Sequence, residues 1–483
     1  MELPPRRLLP SLLGGIGVAA LALPADAQAH GIVGKADLPI PVWLFSWAAA
    51  IVLVVSFVAL STMWTKPQLQ EQHLRRLFRL PTTPFGRGAP LEWLAGLVGV
   101  GLLALVIYSG FDGAQVTQAN FSVTFIYVIF WVGLPVASVA FGDVFRALSP
   151  WRTCARGMWA LLRLARRGRQ VAPPLRYPQW LGMWPAVAGI VGFAWLELIY
   201  VERDRPSLLA ALSLGYFLVM VVGMALFGVE EWGGQADGFG AYFSLVSKLS
   251  AVVRGDDGWV YLRRPLSGIT SLQIRAGTVG LICTLIGTTT FDGFSNGGIW
   301  RTNEPHLQSL FSDVGFSQTP SLELAYSVGL LFCLALVAAV YRIGIIGVHS
   351  VSDRYDIHQL TRTFAHTLVP IGFAYVVAHY FSLLLWQSQA MGYLISDPLG
   401  NGANLFGTSG FQIDYHIISY AGIWYVQVAA LVSGHVGGLA LAHDRALARY
   451  PDPEEAVRSQ YWMLAVMVAF TSFGLWLLSS VGT

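Results

Sequence analysis

Charge is scarce in this chain of 483 residues: Asp, Glu, Lys and Arg together make up 12%, against 55% hydrophobic residues. No long polar stretch is left to form a soluble domain, so the composition excludes an ordinary soluble enzyme and points to a polytopic membrane protein. Cysteine is nearly missing as well. Cys154, Cys283 and Cys333 have no metal-ligand spacing and two of them lie inside apolar runs, which argues against a disulfide framework. A net charge of +3 calls for no nucleic acid, because the basic residues sit in short segments between apolar runs and act there as topology signals. The hydrolase signature H-E-x-x-H is lacking.

What is present is a series of apolar runs. Arg6 and Arg7, the run Leu8 to Leu23 and Ala27-Gln28-Ala29 have the layout of a secretory signal peptide over residues 1–29, the competing reading being an uncleaved first helix. Cleavage makes His30 the N-terminus of a transmembrane domain over 30–483. About ten runs of bilayer-spanning length follow: 43–63, 91–110, 121–142, 180–200, 207–228, 273–291, 322–345, one from Phe364, one ending near Arg445, and 461–478. The fold expected is all-α, a multi-pass helical protein in contact with membrane lipid.

Placing the mature N-terminus outside a bacterial inner membrane sends Lys66, Arg75, Arg76, Arg79 and Arg87 inward. Arg146, Arg152, Arg156, Arg163, Arg166, Arg167, Arg169 and Arg176 go the same way, as do Arg342, Arg354, Arg362, Arg445, Arg449 and Arg458, as the positive-inside rule requires. Residues 228–272 become an inner or interfacial segment. Within it Phe239, Tyr242, Phe243, Val246, Leu249 and Val253 recur at helical spacing, as an amphipathic surface helix or a re-entrant segment would have them. Residues 292–320 and 387–414 become outer loops. A parallel four-helix repeat is also legible, since Phe111-Asp112-Gly113 returns as Phe291-Asp292-Gly293 and Pro185 in the fourth run has a counterpart in Pro370 of the eighth.

Ionisable groups inside apolar runs are costly and mark candidate sites. Depth sorts them into two groups. One collects His379, His416, Glu197, Glu323, Asp112, Asp292 and His30 near the outer side. The other collects His366, His435, His443, Asp444, Glu230 and Glu231 near the inner side. Both have ligand types suited to a divalent metal such as zinc or copper, and His30 offers an amine and a ring nitrogen to one copper ion. The plainer alternative is that these histidines bond facing carbonyls or hydroxyls and hold helices together. A two-haem arrangement is set aside. His366 and His379 are 13 positions apart but His416 and His435 are 19 apart, a mismatch of about 9 Å along the helices.

The segments AHGIVGKADLPIPVWLFSW, SPWR, AHYFSLLLWQSQ, SDPLGNGANLFGTSGF, WYVQVAALVSGHVGGLALAHDRAL and SQYWMLAVMVAFTSFGLWLLSS resemble a family of bacterial polytopic membrane proteins named after fenitrothion hydrolase. The resemblance covers nearly the whole mature chain and is strongest after Phe364. It implies a membrane-bound component of an organophosphate triester hydrolase acting on hydrophobic small molecules, with a second subunit as a possible partner. Such hydrolysis needs an activated water, which metal-bound hydroxide would supply. His379, Glu197, Asp112 and Asp292 are the candidate catalytic groups and His30, His379 and His416 the candidate ligands. His366, His435, His443 and Glu230 form the second candidate cluster. A transporter, a copper-handling protein or a non-catalytic anchor remain the alternatives.

Overall fold

In lipid a backbone must satisfy its own polar groups, and an apolar run does so as a helix. In the computed structural model, residues 42–480 are described apart from 72, 81, 84, 85, 88, 170 and 256. The expected signal peptide and His30 lie outside the described residues.

The apolar runs form α1 (Val42–Met63), α2 (Ala89–Asp112), α3 (121–141), α5 (Trp184–Leu198), α6 (Pro206–Phe227), α9 (Thr278–Ser295), α11 (Gln318–His349), α12 (Leu368–Gln387), α13 (Tyr420–Arg449) and α14 (Tyr461–Ser480). Between them lie α4 (Pro150–Ala165), α7 (Val229–Gln235), α8 (Gly238–Ser247) and α10 (Gly298–Asp313). Among the described residues seven helices are long and apolar enough to cross a membrane: α1, α2, α3, α6, α11, α12 and α13. The chain is therefore an all-α multi-pass membrane protein. Of the three other expected spans, α5 has only 15 residues. The next, α9, carries threonines and Asp292 and is enclosed by protein, buried from Leu281 without a break to Gly293. Its Thr288, Thr289 and Thr290 hydroxyls donate to carbonyls of their own helix, which lets a polar sequence occupy the centre of the bundle. Leu94, Leu97, Leu212, Val219, Val222, Leu331 and Phe332 are exposed, as lipid-facing side chains are.

Contacts at the helix ends sort the loops onto two faces. On one, Ala114 N–H donates to the Leu399 carbonyl and Phe121 N–H to that of Pro398, and Tyr127 Oη donates to the Arg203 carbonyl. On the opposite, basic face, Arg156 and Arg254 both bind Glu92, and Arg146 and Arg152 both bind Glu230. Strand β1 (Arg75–Arg79) pairs there with β5 (Trp259–Leu262), which pairs in turn with β4 (Val252–Arg254). A two-residue ladder joins β2 (Thr82–Thr83) to β3 (Gly86–Arg87). No strand was expected from the sequence, because these segments are two to five residues long and lack an alternating pattern.

Several expectations are revised. The helical spacing read from Phe239 onward within 228–272 is carried by α8, which is buried and does not lie on the surface. α8 buries Phe239, Tyr242, Phe243, Leu245 and Val246 together, inside the main core with α3, α5 and α9; α7 precedes it and the β4–β5 hairpin follows it. The 292–320 stretch is mostly helical, being the end of α9, the whole of α10 and the start of α11. The repeat is not carried into the packing: α2 lies along α6, whereas its counterpart α9 packs on α11, α5 and α12.

Candidate functional site

The polar groups of the core meet where α5, α8, α9 and α12 converge on α3. Asp292 comes from the last turns of α9, and His379 and Tyr380 come from the middle of α12. Consecutive helical residues point about 100° apart, so these two flank a group lying between them. That group is one oxygen: His379 Nε2 is 2.8 Å from Asp292 Oδ2, and Tyr380 Oη donates to the same atom at 2.7 Å. The ring planes of His379 and Tyr380 stand at 90°. An Asp carboxylate as partner assigns the ring proton to Nε2 and makes Nδ1 the basic nitrogen.

Glu197 on α5 completes the cluster. Its carboxylate bonds the Trp131 side chain and lies close enough to Asp292 for their charges to interact. Tyr242 and Tyr380 also sit in the field of Glu197. The cluster is sealed from solvent: Asp292 is 2% exposed, Tyr380 3%, His379 4% and Glu197 9%. Beside His379 is a cavity lined by Thr289, Gly293, Tyr375, Ala378, Leu431 and Gly474, with room for about one water.

Trp131 reaches this cluster from an unusual backbone. Residues Phe125–Gly133 of α3 are wound as a π-helix, with Leu134 N–H bonding the Ile129 carbonyl, five residues back. Pro135 supplies a reason, since proline has no N–H to give the Trp131 carbonyl four residues earlier and its ring crowds that position. Wider turns of this kind are frequent at functional sites. In the sequence, Pro135 inside a long apolar run was the available signal. Trp131, Tyr242 and Tyr380 carried none, because aromatic residues at helical spacing are ordinary core.

Of the sequence candidates, His379, Asp292 and Glu197 come together. Asp112 does not join them: it is exposed at the end of α2, beside Tyr108. His416 is 98% exposed and pairs with Asp414 of its own loop. Glu323 takes a backbone N–H from Val201. The second cluster also separates. Glu230 is held by Arg146 and Arg152 on the basic face. His443 Nε2 contacts the Trp64 carbonyl at 2.9 Å, and Asp444 accepts from Trp64 Nε1, Gln68 N, Leu69 N and Gln70 Nε2. Both clamp the segment that leaves α1. His366 and His435 are buried, and each has an Nε2 without a hydrogen-bond partner among the described residues.

His435 is placed by close helix contact. Gly434 and Gly438, one turn apart on α13, press against α12, where a Cβ at Gly434 would lie 2.2 Å from that of Ala374. Among the described residues no three His, Cys, Asp or Glu side chains gather as a metal site. Of the expected ligands, His379 is buried and His416 is exposed on its loop, and His30 lies outside the described residues. Comparison with models of protein families, with curated proteins and with solved structures finds no match to this chain.

Proposed function

We propose that this chain is the membrane-integral component of an organophosphate triester hydrolase that takes hydrophobic substrates from the bilayer. In this reading it lies in a bacterial inner membrane with its mature N-terminus outside. The resemblance of its segments to the fenitrothion hydrolase family supports the reaction class. The observation that carries the site is the buried Asp292–His379 pair at 2.8 Å. Asp292, itself held by Tyr380, fixes the imidazole; once the substrate has opened the sealed cavity, a water there gives a proton to Nδ1 as its oxygen attacks phosphorus. The P–O bond to the aryl group breaks, and the proton passes to the departing aryloxide. General-base catalysis of this kind is worth about 100- to 10,000-fold.

A second reading, proton-coupled transport, is favoured by one observation: Glu197 adds another carboxylate to a cluster sealed within the bundle, as in proton-handling sites of transporters. The two readings separate in one experiment. Membranes expressing this chain alone are assayed for fenitrothion hydrolysis beside Asp292→Asn and His379→Gln, with folding checked by detergent-solubilised yield. The hydrolase reading expects losses of at least about 100-fold in both variants. Folded protein without hydrolysis, whose proteoliposomes move protons until Glu197 is changed to Gln, would replace it with transport.

A further inference from the structure

On the basic face, α4 is fastened to the ends of two membrane spans. Trp159 Nε1 donates to the Met224 carbonyl, in the last turn of α6, at 3.3 Å. Arg156 binds Glu92 in the first turn of α2, and its guanidinium lies over the Trp93 ring. Trp151, Ala155 and Trp159 form the face that α4 buries. These contacts hold the helix at the level where α2 and α6 leave the bilayer, which is the depth of lipid headgroups.

After Trp159 the helix leaves the protein surface. Residues 161–169 are all exposed, Leu161 by 68% and Leu164 by 76%, and at a spacing of three these two leucines share a face. The helix then closes in a tight turn. Gly168 N–H donates to the Arg163 carbonyl at 2.8 Å and Arg167 N–H to that of Leu164 at 3.0 Å, with Arg167 and Gly168 both at positive φ, 51° and 80°. Four arginines, Arg163, Arg166, Arg167 and Arg169, are thereby gathered at one end of α4. Glu92 and Glu230 on this face are each held by two other arginines, and none of the four has an acidic partner among the described residues.

Cations at a helix C-terminus suit its dipole, and arginines at a span end suit its orientation. Neither role accounts for two exposed leucines beside them. Leucine and arginine together at headgroup depth make a surface that sets its apolar side chains among acyl chains and keeps its guanidinium groups at the phosphates. Four charges without a counter-charge select an anionic headgroup over a zwitterionic one. We propose that the end of α4 binds an anionic phospholipid, its phosphate held among Arg163, Arg166, Arg167 and Arg169 and an acyl chain lying against Leu161 and Leu164. The inference does not depend on the reaction at Asp292 and His379.

The test is native mass spectrometry of the full chain in a neutral detergent, with equal amounts of phosphatidylglycerol and phosphatidylcholine carrying the same acyl chains. The expected result is a preference of at least about tenfold for phosphatidylglycerol. It falls to about twofold or less when Arg163, Arg166, Arg167 and Arg169 are all changed to Gln. It is kept when the same number of charges is removed elsewhere on this face, by changing Arg75, Arg79, Arg264 and Arg275 to Gln. Leu161→Ser with Leu164→Ser is expected to lower retention of both lipids. Thermal melting identifies any variant that fails to fold. Equal retention of the two lipids by the native chain would overturn the proposal. So would an equal loss in the control variant, which would make the charge of the whole face the cause. Displacement of the lipid by inorganic phosphate, beside chloride at equal ionic strength, or by a polyglutamate peptide would overturn it as well, giving the turn to a free anion or to an acidic protein.

Discussion

Asp292 and Asp112 occupy matching Phe-Asp-Gly triplets, yet one is buried with two partners on a single oxygen and the other is exposed at a helix end. Identical local sequence thus receives opposite chemistry, because α9 runs through the protein interior while α2 ends at a surface. Asp112→Asn and His416→Ala are therefore expected to keep activity within about twofold, surface changes away from special features being nearly neutral. Tyr380→Phe removes one hydrogen bond to Asp292 and leaves the imidazole bond in place. It is expected to lower turnover about three- to tenfold, in proportion to a net hydrogen bond of about 1 kcal/mol. Initial rates in membranes, normalised to protein amount, check all three. A collapse of activity in His416→Ala would move the chemistry to the exposed loop.

At the level of elements, the contact of α12 with α13 decides where the buried His379 and His435 lie. Gly434 and Gly438 let the two helices approach until backbone meets backbone. A Cβ at Gly438 would stand 2.8 Å from the Thr367 carbonyl, whereas one at Gly437 would meet Pro370 Cβ at an ordinary 3.6 Å. Gly434→Val is expected to push α13 off α12 at a cost of about 1–3 kcal/mol, the usual range for overpacking. Gly437→Ala is expected to be tolerated. Thermal melting of the two purified variants makes the comparison, and equal melting points would show that the contact is not tight. The SGHVGG stretch was readable in sequence as a close-packing motif. Its partner helix was not, because small residues state that something approaches and leave open what does.

Across the whole molecule, one buried carboxylate ties the first span to the last third of the chain. Asp444 accepts from four donors between Trp64 and Gln70, and neighbouring His443 reaches both the Trp64 carbonyl and Gln460. Losing such a hub strands donors that cost about 1–3 kcal/mol each when buried and unmet, though the sum is not additive. Asp444→Ala is expected to lower the melting temperature by several degrees and to open the segment after α1 to limited proteolysis. Asp444→Asn, which keeps an acceptor, is expected to do so less. A proteolysis pattern unchanged in Asp444→Ala would remove the clamp from this account. In sequence these two residues looked like metal ligands, since a His beside an Asp in a membrane helix has the same letters in either role.

Hydropathy and the placement of arginines determined the membrane location, the helical class and the residues where chemistry was worth seeking, because the cost of moving charge into lipid is paid locally, residue by residue. His379, Asp292 and Glu197 were all visible on that ground as ionisable groups in apolar runs. Which of them meet was decided by the tertiary structure alone. Asp292 and His379 are 87 positions apart, and only the packing of α9 against α12 brings a carboxylate to that imidazole. The same packing leaves His416 in solvent, gives Glu230 to two arginines, and buries His435 completely.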